Sequence, residues 1–250
     1  MGVWLGPRGA NGEGKAPLFT ITKNGSPATL NTDYLYAENT VNGVVHWELA
    51  VLTSCTVNFS RVGKVDLALL AGGQAGSLGS NGKGGVGGKG GGITTASPVQ
   101  LTKGTDYAAV IGGSGENTTF AGYTATSGQG SNGGTPSSTR GVAPVDGADG
   151  TMIWSGSHEI ASLANVKFGP GGGAGGYRSS DYAYYSGSDG GDDGGGDGGE
   201  ISQGGTTAGE AGTANRGAGA GGAYLDDVFG ANGQVGTGGS GILLIRDHRG

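Results

Sequence analysis

The residues best equipped for chemistry fall in two short runs set among glycines. Tyr177-Arg178-Ser179-Ser180-Asp181-Tyr182-Ala183-Tyr184-Tyr185 holds four of the chain's nine tyrosines, a density that singles the run out. Tyrosine offers rigid, amphipathic contact area with few rotors, and serine, glycine and aspartate add adaptable hydrogen bonds. Tyrosine faces also stack on sugars while neighbouring Asp and Arg reach hydroxyls. Tyr177, Arg178, Asp181, Tyr182, Tyr184 and Tyr185 are therefore the candidate receptor-binding residues. The same rings could instead staple a glycine-rich region that has few other large side chains, and a mixture of the two roles is expected.

The second run is Gly190-Gly191-Asp192-Asp193-Gly194-Gly195-Gly196-Asp197-Gly198-Gly199-Glu200. With Asp189, it places Asp192, Asp193, Asp197 and Glu200 in one glycine-rich stretch. Hard oxygen ligands on a pliable loop could hold one Ca²⁺. The nonapeptide repeat of calcium-binding β-helices is not present, and a solvated acidic loop explains the run as well. Enzyme signatures are thin. His46, His158 and His248 are scattered, and His158-Glu159 lacks the second histidine of a metalloprotease helix. Gly76-Ser77-Leu78-Gly79 belongs to a triplet pattern rather than to a nucleophile elbow. Asp226 and Asp227 are adjacent, so on an extended chain they point to opposite sides and cannot flank one glycosidic bond. A non-enzymatic protein is expected.

What must position these runs is an unusual backbone. Glycine supplies 62 of 250 residues, which by default implies disorder, because glycine costs the most entropy to fix and buries no side chain. Two features oppose that default: only seven prolines, and short apolar runs that read as strands. From Gly73 to Gly91 glycine recurs at 73, 76, 79, 82, 85, 88 and 91. A period of three fits neither an α-helix nor a strand but matches a polyproline II-type helix. Such a helix has no internal hydrogen bonds, so it needs neighbours. Gly230, Gly233, Gly236 and Gly239 repeat the period, and shorter glycine runs occupy 169–175 and 187–199. The neighbours are therefore expected within the chain.

Strands are expected at 18–22, 44–52, 55–60, 65–70, 107–111, 118–120 and 123–125, with apolar runs at 151–154 and 242–245. Shorter strand-like runs occupy 93–96 and 99–101. Glu159–Phe168 is the one segment with tolerable helix propensity. The expected fold is mostly β and irregular: a small β-sheet or sandwich carrying a bundle of polyglycine II helices, with almost no α-helix. Three regions are drawn. Residues 1–17 form an N-terminal attachment arm whose Gly6–Gly14 resembles a collagen-like stub or a flexible linker. Residues 18–71 form a β framework, and residues 72–246 form the glycine bundle with a closing strand at 241–246. A net charge of −6 argues against a nucleic-acid partner. Cys55 is single and reads as a buried free thiol. No segment nears the roughly 18–20 apolar residues of a membrane span, and no signal-peptide core is evident.

Val65-Asp66-Leu67-Ala68-Leu69-Leu70-Ala71-Gly72-Gly73 resembles the strand-into-glycine signature of the glycine-rich domain of phage and prophage tail proteins. So do Val99–Tyr107, Val110–Gly115, Thr118–Phe120 and Gly238–Arg246. The domain is similar to T-even-like tail-tip adhesins and to the glycine-rich region of anaplastic lymphoma kinase receptors. The resemblance implies a polyglycine II bundle at a virion's distal end, binding a host cell-surface glycan or protein. It implies other virion tail proteins as partners, and release into the extracellular space on lysis. The N-terminal stub adds a possible homotrimer. The alternative is a purely structural tail component without receptor contact. A third reading, a polysaccharide-cleaving enzyme, has no supporting motif.

Overall fold

A computed structural model describes residues 17–137 and 143–249, and the expected collagen-like stub at Gly6–Gly14 lies outside them. The chain runs through β1 (Leu18–Lys23), β2 (Ser26–Pro27), β3 (Tyr34–Val41), β4 (Val44–Val51), β5 (Cys55–Arg61) and β6 (Lys64–Leu70). After the first glycine segments come β7 (Ile93–Gln100), β8 (Asp106–Ala109), β9 (Thr118–Phe120) and β10 (Tyr123–Ala125). The glycine-rich half holds only two-residue strands: β11 (Thr151–Met152), β12 (Lys167–Phe168), β13 (Tyr177–Arg178), β14 (Tyr184–Tyr185), β15 (Ile201–Ser202), β16 (Gly205–Thr206), β17 (Leu225–Asp226) and β18 (Ala231–Asn232). The closing strand is β19 (Ile242–Asp247). The fold is thus mostly β and irregular, with almost no helix.

Two sheets form a sandwich, one ordered β2-β1-β5-β8 and the other β3-β4-β19-β6-β7. The alternation of strand side chains decides what lies between them. Trp47, Leu49, Val51, Leu67, Leu69, Leu243 and Ile245 face the first sheet, packing on Phe19, Ile21, Val57 and Phe59. The intervening Ala50, Ala68, Leu70, Ile242 and Leu244 face the other way, onto Ile153, Ile160, Leu163, Val166 and Phe168. The five-stranded sheet is therefore covered on both faces. This explains why Leu67–Leu70 of β6 and Ile242–Ile245 of β19 read as unbroken apolar runs rather than alternating ones. The cover, residues 151–168, includes Glu159–Phe168, the one segment with tolerable helix propensity, yet forms no α-helix. It consists of a tight turn at Ile153–Gly156, a single 3₁₀ turn at Ala161–Leu163 and β12. Five anchors spaced at 153, 160, 163, 166 and 168 must reach one sheet, which irregular backbone allows.

The chain first leaves the sandwich at Leu70 and last returns to it at Ile242, two residues paired side by side in β6 and β19. Its glycine segments belong to no strand or helix and bond across to one another. N–H groups of Gly85, Gly88 and Gly91 donate to the carbonyls of Ala223, Ala220 and Gly217, each at 2.7 Å. Gly87 and Gly90 donate to Gly134 and Ser131, at 3.0 and 2.9 Å. Carbonyls of Lys89 and Val86 accept from Gln74 and Ser77, at 2.8 and 2.9 Å. One segment thus addresses three neighbours, with the bonds to each recurring at every third residue. All the neighbours belong to this chain. Lys83, Val86 and Lys89 are exposed while the paired glycines between them are buried. A Cβ at Gly84, Gly87 or Gly90 would lie 1.9–2.0 Å from a neighbouring carbonyl oxygen, as tight as at Gly85, Gly88 or Gly91. Close approach therefore requires glycine at two positions in three, not one.

Several expectations need correction. The tract from Gly73 to Gly91 is not a single rod. Asn81 and Gly82 adopt φ of 53° and 70°, and the chain reverses between Ser80 and Lys83, pairing Ser77 with Val86. Asn-Gly is the strongest short hairpin signal, and here it interrupts the triplet period without breaking it. Gly82 and Gly230 serve turns, and Gly233 packs on the Tyr224 ring. Gly73, Gly76, Gly85, Gly88, Gly91, Gly236 and Gly239 do take close backbone approaches, 1.8–2.1 Å from a would-be Cβ. Gly79 meets Leu225 Cβ at 2.6 Å. The β framework also extends past residue 71, drawing strands from 93–125 and 242–247. Among the described residues no helix is long and apolar enough to cross a membrane.

Candidate functional site

The glycine segments have a sheet end and a far end. Gly91 bonds Gly217 next to Leu70, whereas Gly85 bonds Ala223 two turns further out. Following the segments outward leads to four tight reversals at one end: 80–83, 179–183, 203–204 and 227–230. There β14-β13-β17-β18 form a small sheet, with the β15–β16 hairpin packed beside β13 and β14. Each hairpin is thus held at the tip of a hydrogen-bonded rod, which is how a rigid scaffold presents loops.

The expected tyrosine cluster divides between two roles. Tyr177 is buried, stacks on Tyr185 at 5.5 Å and donates its hydroxyl to Asp227 at 2.8 Å. Burial, with the Asp227 carboxylate adding to it, pushes the Tyr177 phenol up to about 12, so it remains a donor. Arg178 forms a bidentate pair with Asp226 and lies 5.6 Å from the Tyr184 ring centroid and 4.9 Å from that of Phe229. Donating to the Tyr184 hydroxyl and the Asp226 carboxylate raises the Arg178 guanidinium's pKa further, so its charge is constant. Asp181 accepts from Ser179 within the hairpin. Tyr182 takes φ of 64° at the tip and is 65% exposed. Tyr177 and Arg178 therefore brace the tip, while Tyr182, Tyr184 and Tyr185 face outward to differing degrees.

Phe229, 76% exposed on the neighbouring β17–β18 hairpin, was not anticipated. It stands alone in sequence behind Asp226-Asp227-Val228, so composition gave no cluster to notice. The available signal was an apolar residue inside an Asp–Gly turn. Arg178 links the two hairpins by contacting Phe229 and Asp226 on one side and Tyr184 on the other.

The acidic run lies mostly toward the sheet end. Asp192 and Asp149 pair with Lys167 Nζ at 3.1 and 2.8 Å, and Asp193 accepts the Lys167 N–H at 2.9 Å. Those bonds hold Asp149 below, and Lys167 above, the usual range of each. Asp197 accepts from the Gly190 N–H, while Asp189 and Glu200 bond neighbouring loops through their own backbone N–H groups. Among the described residues no group of three His, Cys, Asp or Glu is arranged to hold a metal ion. The carboxylates instead tie segments together.

A third polar group occupies the covered face of the five-stranded sheet. Glu48, Arg246 and Asp66 form a row across β4, β19 and β6. Glu48 accepts from His158 Nδ1 at 2.6 Å and from the backbone N–H groups of Glu159 and Ile160. Burial works to raise Asp66, but bonds from Ser97, His248 and Arg246 outweigh it and keep the carboxyl below its usual range. Ser97 Oγ and His248 Nδ1 both meet the same Asp66 oxygen. In a catalytic triad, serine and aspartate bind opposite ring nitrogens, so this group is a structural clamp. With that geometry established, comparison with family models, curated proteins and solved structures yields no match.

Proposed function

We propose that the chain is a non-enzymatic phage tail component that binds a host cell-surface receptor, glycan or protein, through the far end of its glycine bundle. The bundle is read as polyglycine II helices, and the tail context draws on the resemblance of the strand-into-glycine junctions. Other virion tail proteins would anchor the sandwich end, and the N-terminal stub offers a means of trimerisation. The observation that carries the reading is the exposure of Tyr182 and Phe229 on two adjacent hairpins, which Arg178 links through Tyr184 on one and Asp226 and Phe229 on the other. Exposed aromatics with braced backbones lose little entropy on binding, which is what anchor residues need.

The test is a virion carrying Tyr182→Ser together with Phe229→Ser. Both side chains are mostly exposed, so particle yield and the thermal midpoint of the purified chain should be unchanged. Adsorption to host cells should fall at least about tenfold, the loss of roughly 1.4 kcal/mol of binding. Normal adsorption would favour a purely structural tail component.

A further inference from the structure

A groove of about 490 Å³ opens at the sheet end of the bundle, between the start of β7, the Thr151–Trp154 segment and residues 129–131. Its size falls within the roughly 300–1,000 Å³ of small-ligand sites. Ile93 and the buried Ile153 and Phe168 contribute apolar surface, and Met152 and Trp154 stand at the edge. Thr95, Gln129 and Thr151 are exposed around it.

The backbone that places Trp154 is strained. Trp154, Ser155 and Gly156 adopt φ of 49°, 54° and 75° in succession, a left-handed turn that bulky residues rarely take. It is held from several sides. The Arg246 guanidinium lies 4.0 Å over the Trp154 ring and donates to the Ser157 carbonyl, and Ser157 N–H bonds the Trp154 carbonyl at 3.1 Å. Behind the wall, His158 packs 5.6 Å from Trp154 and 6.3 Å from Phe168, with its Nε2 buried and unpartnered. Strain fixed this firmly tends to mark ligand sites.

None of the residues lining the groove is charged. A charged ligand would find no counter-charge, and a purely apolar one would bury hydroxyl and amide groups without partners. Thr95, Gln129 and Thr151 both donate and accept hydrogen bonds, and Met152, Ile93 and Trp154 offer apolar surface beside them. Alternating C–H faces and hydroxyl edges match that arrangement. We propose that this groove binds a short neutral saccharide, independently of the role of the far end.

The test titrates the full chain with maltose, cellobiose, lactose and diacetylchitobiose, and with a neutral Gly-Ser-Thr peptide, read by saturation-transfer NMR and tryptophan fluorescence. At least one saccharide should bind saturably. Met152→Arg, which projects into the groove from an exposed position, should weaken it at least about tenfold, or 1.4 kcal/mol. Gln129→Ala should weaken it less, with both variants keeping the parent's thermal midpoint, and Lys103→Ala, at an exposed turn outside the groove, should leave it unchanged. No saccharide binding, binding indifferent to both groove variants, or binding of the peptide alone would overturn the proposal.

Discussion

Gly172→Ala separates a close-packed bundle from a loose glycine thread, because the two predict opposite signs. Gly172 does not occupy the left-handed region, so alanine is allowed there by its own backbone. In a loose segment the change should stabilise by about 0.4–1 kcal/mol, through fewer unfolded conformations. In the bundle the new Cβ lies 2.1 Å from the Ala220 carbonyl oxygen and 2.3 Å from its carbon. Reaching even 3.0 Å displaces the segments by about 0.9 Å. The bonds on either side, Gly219 N–H to Pro170 at 2.8 Å and Gly222 N–H to Gly173 at 2.9 Å, would stretch to roughly 3.7–3.8 Å, beyond hydrogen-bond range. Two broken bonds leave buried donors and acceptors at about 1–3 kcal/mol per bond, so a loss of about 2–6 kcal/mol is expected. That is a large share of the roughly 5–15 kcal/mol typical of a folded domain, and corresponds to a midpoint lowered by about 4–24 °C. Val86→Ala and Lys89→Ala, at exposed positions of a neighbouring segment, should stay within about 0.5 kcal/mol. Scanning calorimetry or urea unfolding reads all three. A Gly172→Ala protein as stable as the parent, or more so, would refute the packing argument.

Other outcomes follow from the sandwich. Glu48→Ala strands the His158 ring and two backbone N–H groups, and should cost about 3–5 kcal/mol in urea unfolding while speeding amide exchange at Glu159 and Ile160. Bonds from Lys23, Thr29 and Thr53 hold the Asp33 carboxyl down at about 2, below the 3.8 usual for an aspartate. A lowered folded pKa stabilises above the unfolded value and is lost as pH falls through the folded one. The midpoint gap between parent and Asp33→Asn should therefore shrink from pH 3.8 toward pH 2, and a constant gap would contradict it. Burial, with the Asp33 charge adding and Lys23 opposing, pushes the Cys55 thiol up to about 11. Near pH 8 it should react far more slowly with a disulfide reagent in the native protein than in urea, where a free thiol titrates at about 8.5.

The long strands were legible because their side chains announce burial. Leu67–Leu70 and Ile242–Ile245 are apolar throughout, and the structure covers them on both faces. Tyr34–Val41 was missed because its residues are half-buried at best, so its alternation is blurred by Glu38, Asn39 and Thr40. In the glycine tract, the triplet period predicted which backbone needs close neighbours. It did not reveal the reversal at Asn81-Gly82, since a turn glycine and a packing glycine are the same letter. The candidate site was half legible. Tyr177–Tyr185 stood out by density, but Phe229 joins it only through segments that pair more than forty residues apart in sequence. The braces within the cluster, Tyr177 and Arg178, are distinguishable from its outward residues only by burial.

The central claim is that the bundle displays its far end to the outside. A density map of the assembled particle containing this chain tests that most directly. The account predicts the hairpins at 80–83, 179–183, 203–204 and 227–230 at the particle's outer surface, with the sandwich toward the tail. A map that buries Tyr182 and Phe229 against another subunit would contradict it.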